Sequence, residues 1–252
     1  MWVRVLGAAA GGGFPQWNCN CPQCRAVRDG SRPCRPRTQS SVAVSADYRR
    51  WFLLNASPDL RAQIESFPAL HPHGLRDSPL QAVLLTDAEL DHTLGLLLLR
   101  EAGRLEVHAT AAVHETLCTG TALLHTLGAY AHVEWRPVAP GREVSLADGL
   151  SYRAFPVPTT KRARFGTGEG EEVVVGYRIT NGHTGRALVY LAGWKHHIAV
   201  YPVPAGDEAF EQELAPYRSG KGTLKFPTAN PIPYGLIGQV VALLVKGRAD
   251  GD

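Results

Sequence analysis

The segment Leu84-Leu85-Thr86-Asp87-Ala88-Glu89-Leu90-Asp91-His92-Thr93-Leu94-Gly95 decides how the chain reads. The apolar run Ala82 to Thr86 has the length and composition of a strand, and beyond it stand three alternating carboxylates and a histidine. In an extended segment Asp87, Glu89 and Asp91 share one face, and His92 opens helical spacing that continues to Ala102. Oxygen donors beside one imidazole suit a hard or borderline divalent metal. The competing reading is a solvated strand end in which Asp91 caps the helix beginning at His92.

Upstream, Trp2 to Leu6 reads as a buried strand, Ser41 to Ser45 with Trp51 to Asn55 as a hairpin, and Pro58 to Ser66 as a helix. Downstream come a strand at Leu105 to His108, a helix from Ala111 to about Thr126, and strands at Ala131 to Pro137, Leu150 to Val157 and Val173 to Ile179. A loop rich in Gly, Lys and Arg, Thr159 to Glu171, precedes the last of these. Strands followed by strand–helix units predict a layered α/β domain. The final stretch reads as compact α+β. It has a hairpin of Ala187 to Leu191 with His197 to Tyr201 around Gly193-Trp194-Lys195, a helix Asp207 to Leu214, a strand Thr223 to Phe226 and a helix Pro233 to Val245. Pro233 suits the first turn of that helix, where a missing N–H costs nothing.

Composition narrows the function classes. The 252 residues are 44% hydrophobic and 19% charged, enough for one sizeable core or two small ones. A net charge of +3, with the basic residues scattered, argues against a nucleic-acid partner. The longest tight apolar run, Leu94 to Leu99, falls far short of the roughly 18 residues of a membrane span, which argues against a membrane protein. The N-terminus lacks the charged region and apolar core of a signal peptide, and the odd cysteine count suits a reducing compartment, so a cytoplasmic location is expected. Residues 1 to 160 hold fifteen arginines and no lysine, whereas the 67 residues from Arg186 hold four lysines and three arginines, which suggests a seam.

Cys19, Cys21 and Cys24 form C-x-C-x-x-C in a Gly/Pro/Asn loop, a spacing at which three thiolates can grip one zinc with a fourth ligand from elsewhere. Cys34 is a candidate fourth ligand, and Cys118, on an apolar helical face, reads as a small buried hydrophobe. His71, His73, His114 and His125 read as surface or core fillers. His108 closes the strand after the carboxylate turn. Asn55, Ser57 and Asp59, at another strand end, either support ligands or cap the following helix.

Thr86, Asp91-His92 and Gly95 resemble the metal-binding turn of the metallo-β-lactamase superfamily, with Asp87 and Glu89 where that superfamily usually has two histidines. Three further motifs, Gly7 to Cys24, Arg35 to Ser41 and Asn55 to Arg61, together with this turn resemble the coenzyme PQQ synthesis protein B family over about residues 1 to 190. That resemblance implies an αββα fold, here incomplete. It also implies a place in making the quinone cofactor PQQ from a Glu–Tyr precursor, as an iron-dependent hydroxylase using dioxygen. Asp91 and His92 would then be Fe(II) ligands with Asp87 nearby, Cys19, Cys21 and Cys24 would hold structural zinc, and the partners would be the dipeptide precursor and other PQQ-biosynthesis proteins. The alternative is a non-catalytic carrier of PQQ or its precursor, or an iron-binding protein. Asp87 and Glu89 disfavour an ordinary two-zinc hydrolase.

Gly185 to Ile198, Tyr201-Pro202, Leu214 to Tyr217, Lys221 to Pro227 and Pro231 to Ile237 resemble a different family, the small bacterial frataxin-like iron chaperones, over about residues 185 to 247. The expected organisation is therefore a main domain over 1–185 and a small segment over 186–252, joined at the strand Ala187 to Leu191. His196, His197, Asp207, Glu208, Glu211 and Glu213 could recruit iron, although acidic residues at these positions also suit an exposed helix, with Trp194, Tyr201 and Phe226 as core.

Overall fold

The computed structural model describes residues 1–157, 165, 173–190, 193–194, 197–200, 203, 206–219, 224–227 and 233–246. The chain divides into two compact units, Met1–Gly185 and Arg186–Asp252.

In the first unit, β1 (Trp2–Gly7), β2 (Ser41–Ser45), β3 (Trp51–Leu54), β4 (Leu80–Leu84), β5 (Arg104–Ala109) and β6 (His132–Pro137) form one sheet in chain order. β1 to β3 run antiparallel, with the long segment 8–40 between β1 and β2 and a short turn over 46–50 between β2 and β3, and β3 to β6 run parallel. Parallel neighbours need long crossovers, and helices supply them. These are α2 (Leu60–Glu65), α3 (Leu90–Thr93) with a 3₁₀ stretch Leu94–Ala102, and α4 (Ala111–Glu115) with a π turn Thr116–Gly120 and α5 (Leu123–Gly128). α1 (Pro22–Arg28) lies in the cysteine loop. Leu53, Val83, Leu85, Leu96, Val107, Leu117 and Leu127 are fully buried in one cluster between strands and helices. Each such side chain contributes roughly 1.5–3 kcal/mol of hydrophobic stabilisation.

A second, antiparallel sheet of β7 (Glu143–Ser145), β8 (Leu150–Pro156) and β9 (Val175–Asn181) is bonded to the first where β4 and β5 end. The Val175 N–H donates to the Thr86 carbonyl at 2.8 Å, and the Tyr177 hydroxyl donates to the Leu85 carbonyl at 2.9 Å. The layered α/β expectation is met: helices, sheet, sheet.

Three local expectations are corrected, and one strand is new. β1 is not buried: Trp2, Val3 and Val5 are 55%, 42% and 59% exposed, because among the described residues β1 is an edge strand paired only with β2. The helix over 92–102 turns 3₁₀ at Leu94, because Ala56 N–H donates to the His92 carbonyl at 2.7 Å and Gly95 N–H to the Ala56 carbonyl at 3.0 Å. Gly95 permits this contact, since a Cβ there would lie 2.2 Å from the Ser57 carbonyl oxygen. The helix over 111–126 is broken at Ala122, which sits at φ 51°, after a threonine-rich turn. There Thr116 and Thr119 hydroxyls donate back to the Ala112 and Glu115 carbonyls. The strand β7 carries no pattern of its own and was not foreseen. The loop Thr159 to Glu171, Phe165 apart, lies outside the described residues.

The second unit contains β10 (Ala187–Tyr190), β11 (Gly193–Trp194), β12 (His197–Val200), α6 (Glu208–Leu214), β13 (Leu224–Pro227) and α7 (Tyr234–Lys246). The expected pairing of 187–191 with 197–201 is corrected, because the antiparallel partners of β12 are β11 and β13. Phe210, Leu214, Leu224, Phe226 and Val240 form its core. Asp207 caps α6 by accepting from Phe210 N–H at 2.9 Å. Pro233 immediately precedes α7 and its carbonyl accepts from Ile237 N–H. Glu211 pairs with Arg218. His196, Tyr201 and the side chains of Trp194 and His197 lie outside the described residues.

Candidate metal centre

The backbone continues beyond β4 as Leu85-Thr86-Asp87, with the Leu85 N–H still bonded to the His108 carbonyl of β5 at 2.9 Å. Asn55, left-handed at φ 62° where β3 ends, clasps Thr86. Its Oδ1 accepts from Thr86 N–H at 2.9 Å and its Nδ2 donates to Thr86 Oγ1 at 3.0 Å. Asn55 thus supports the turn. Ser57 bonds to Gln63 at 3.0 Å, and Asp59 accepts from the Gln39 N–H at 2.8 Å, so neither caps α2 through its side chain.

The turn is not extended, which corrects the shared face expected for Asp87, Glu89 and Asp91. Asp87 Oδ1 accepts from the Glu89 N–H at 3.0 Å and folds the chain over. α3 then starts at Leu90, with Glu89 at its N-cap position and Asp91 inside the first turn, so Asp91 is not the cap.

This fold centres on His92. Its Nδ1 lies 2.7 Å from Asp87 Oδ1, and its Nε2 lies 3.9 Å from Asp91 Oδ2. A carboxylate can only accept, so the Asp87 contact places the ring proton on Nδ1 when the imidazole is neutral and leaves the Nε2 lone pair toward Asp91. Burial alone would raise the Asp87 carboxyl, but the hydrogen bond and charge of His92 outweigh it and hold it below the usual carboxylate range. Burial likewise pulls the His92 ring down, and the Asp87 hydrogen bond with the charges of Asp87, Asp91 and Glu89 lifts it above its usual value. Asp87, expected near the ligands Asp91 and His92 as a catalytic residue, holds the His92 imidazole through Nδ1.

Asp91 is also walled by the N-terminal glycine loop. A Cβ on Gly11 would stand 3.3 Å from Asp91 Oδ2, so glycine leaves this carboxylate room. The loop is tied down: Gly12 N–H donates to Gln39 Oε1 at 3.1 Å, and Phe14 and Arg37 exchange backbone hydrogen bonds.

Farther along that loop the Sγ atoms of Cys19, Cys21 and Cys24 lie within 4.8 Å of one another, and among the described residues no other group of three or more metal-ligand side chains is this tight. Cys21 caps α1, its Sγ accepting from Cys24 N–H at 3.5 Å. That contact, with the neighbouring thiols, brings the Cys21 thiol down to about 7, toward the thiolate a metal needs. Arg28 holds the loop by donating to the Cys19 and Gln16 carbonyls. Cys34 is exposed and outside this trio. Cys118 is half-buried against the core, 3.4 Å from His114 Nε2, and His114 stacks on Trp135.

One polar group was missed. His108, buried, joins Tyr152 of β8 and Glu106 of its own strand. The two-residue spacing of Glu106 and His108 along a strand is visible in the sequence; Tyr152, 44 positions away, is not.

Residues 50–202 match the profile of the beta-lactamase superfamily domain, a match that runs past β10. The coenzyme PQQ synthesis protein B of Methylococcus capsulatus is 44% identical over 202 residues, covering 77% of this chain and 66% of that protein. Its counterpart in Pseudomonas aeruginosa is 50% identical over 166 residues, covering 66% of this chain and 52% of the relative. The chain thus spans between about half and two thirds of the length of these curated relatives. A crystal structure of Zn(2+)-bound PqqB from Methylobacterium extorquens superposes with a TM-score of 0.67 at 38% identity, covering 85% of this chain and 69% of that one. A diphosphatase of the PhnP family superposes with a TM-score of 0.52 at 25% identity, over 71% of this chain and 62% of its own. No helix among the described residues is long and apolar enough to cross a membrane. Sheet order, the Asp87–His92–Asp91 turn, the cysteine loop and this degree of identity converge: the chain belongs to the coenzyme PQQ synthesis protein B family of the β-lactamase superfamily.

Proposed function

We propose that the chain serves PQQ biosynthesis as an Fe(II)-dependent hydroxylase of the Glu–Tyr-derived precursor, with Asp91 and His92 as iron ligands and Cys19, Cys21 and Cys24 holding a structural zinc. The observation that carries this reading is the orientation of His92, whose Nε2 faces Asp91 Oδ2 at 3.9 Å while Asp87 holds Nδ1. Two ligands about 2.1 Å from one ion fit across such a gap. Glycine at position 11 puts no side chain against this carboxylate, where a Cβ would stand 3.3 Å from Oδ2. Iron held by Asp91 and His92 would supply dioxygen chemistry that zinc cannot.

The protein's own residues do the rest. Asp87 fixes the tautomer and azimuth of His92, Asn55 and Thr86 stiffen the turn, and Asp91 contributes negative charge at the mouth of the site. The thiol trio fits zinc: tetrahedral bonds of about 2.3 Å separate sulfurs by roughly 3.8 Å, inside the 4.8 Å spread of these Sγ atoms. Zinc there would anchor the loop that carries Gly11. The PqqB structure from Methylobacterium extorquens, described as Zn(2+)-bound, supports a zinc-binding capacity in this family. Residues 1–185 form the catalytic domain in this reading, with other PQQ-biosynthesis proteins as partners in the cytoplasm. The iron-chaperone likeness of residues 185–247 rests on its own motifs alone.

The test is anaerobic loading with Fe(II) followed by oxygen uptake in the presence of a Glu–Tyr dipeptide. Substrate-dependent uptake that disappears in Asp91→Ala and His92→Ala is expected. Binding of PQQ or the dipeptide without uptake would make the chain a carrier and reject the hydroxylase.

A further inference from the structure

Between the two sheets of the first unit lies a chain of polar groups that the proposed iron site does not use. The Tyr152 hydroxyl is 2.9 Å from His108 Nδ1, His108 Nε2 is 2.8 Å from Glu106 Oε1, and the other Glu106 oxygen is 3.3 Å from Arg136 Nε. Both rings are enclosed, His108 at 2% and Tyr152 at 1% exposure. The Glu106 carboxylate can only accept, so Nε2 carries the ring proton and Nδ1 is a bare base. The phenol is therefore the donor in the Tyr152 contact. The groups run in one direction, phenol to imidazole to carboxylate to guanidinium, from the core to a half-exposed surface.

We propose that Tyr152 is a redox-active tyrosine, oxidised by one electron as its phenolic proton passes to His108. The electron leaves the ring for a one-electron transition-metal oxidant. The O–H bond breaks, an N–H bond forms at Nδ1, and the product is a neutral tyrosyl radical beside an imidazolium paired with Glu106. Return of one electron from a one-electron reductant such as a small thiol or ascorbate, with the proton moving back from Nδ1 to the phenolic oxygen, restores the starting state.

Burial explains why the proton must move. It pushes the Tyr152 phenol well above its usual range, so the hydroxyl does not ionise beforehand, and it lowers His108, so the ring is a neutral base at neutral pH. A phenol cation radical with no acceptor would be an uncompensated buried charge. The path inward is also present: the Tyr177 ring meets Tyr152 edge-on at 5.3 Å, and its hydroxyl donates to the carbonyl of Leu85, two residues before Asp87. Resting on the reading of Asp91 and His92 as an iron site, the pair would take up oxidising equivalents that miss the substrate.

The experiment uses the full chain without metal, so it is independent of that reading. Flash-generated tris(bipyridine)ruthenium(III) supplies the oxidant, and freeze-quenched samples are examined by electron paramagnetic resonance, with ring-deuterated tyrosine incorporated to identify a tyrosyl signal. A long-lived tyrosyl radical is expected in the wild type, absent from Tyr152→Phe and lost or short-lived in His108→Gln. No tyrosyl signal in the wild type, or the same signal in Tyr152→Phe, overturns the proposal. Should Tyr152→Phe not fold, Glu106→Gln decides. Its amide still accepts from Nε2 but does not neutralise an imidazolium, so the radical should decay faster, and an unchanged lifetime refutes the mechanism. Failure of Fe(II)-dependent oxygen uptake would leave these results standing.

Discussion

Replacing Asp87 by Asn tests the central geometric claim, that this carboxylate acts through His92. The side chain keeps its volume and can still accept from Nδ1–H, but the charge is gone. Asp87 accepts from His92 at 2.7 Å, from the Glu89 N–H at 3.0 Å and from the Thr86 hydroxyl at 3.1 Å, in a pocket where burial opposes ionisation. Hydrogen bonds to charged groups contribute roughly 1.5–3 kcal/mol each. With the neutral hydrogen bonds retained, a net loss of about 2 kcal/mol is expected for the metal-free protein in urea denaturation. Its pH dependence is the sharper readout. The lowered Asp87 contributes stability above its unfolded value and loses it as pH falls through the folded one, whereas the raised His92 contributes below its unfolded value and loses it as pH rises through the folded one. The wild-type advantage over Asp87→Asn should therefore peak between about pH 4 and pH 6.5, the ordinary carboxylate and imidazole values, and shrink on either side. Metal affinity at His92, titrated after the cysteine loop is loaded with zinc, should fall about 10- to 100-fold, as for other partners of ligating histidines. A stability difference that is flat from acid to alkaline pH, or unchanged metal affinity, would refute the reasoning.

Cys21→Ser should release the zinc that wild-type protein retains through dialysis, checked by elemental analysis, and metal-free wild type would count against the thiolate site. Gly11→Ala should weaken metal binding at Asp91 and His92 by about tenfold without emptying the cysteine loop, since its methyl would meet Asp91 Oδ2 at 3.3 Å; isothermal titration on zinc-loaded protein separates the two sites. Leu53→Ala, in the fully buried cluster, should cost about 2–5 kcal/mol, whereas Val5→Ala on the exposed edge strand should stay within about 0.5 kcal/mol in the same denaturation series.

Much of the layered fold was legible because it rests on local pattern. The runs Val42-Ala43-Val44, Trp51 to Leu54 and Val83 to Leu85 are strand-like whatever surrounds them, and Pro58 to Ser66 and Asp207 to Leu214 have helical spacing with plausible starts. The carboxylate turn and the cysteine loop were legible for the same reason, since their candidate ligands lie within six positions of one another. Burial was not. Trp2 to Leu6 has the composition of an interior strand, and only its place at the end of the sheet order exposes it.

The sequence by itself determined which groups are available at each of the two candidate sites, Asp87, Asp91 and His92 at one and three thiols at the other, each set in a segment too short to separate its members. Tertiary structure decided what each does. Asp87 became a partner of His92, and Asp91 moved into a helical turn, because Asp87 caps the Glu89 N–H and Ala56 bonds to His92 and Gly95 from the loop after β3. His108 gained Tyr152 only because β8 lies across β5. Hydrogen bonds between residues tens of positions apart depend on how sheets stack, and no local periodicity encodes that distance.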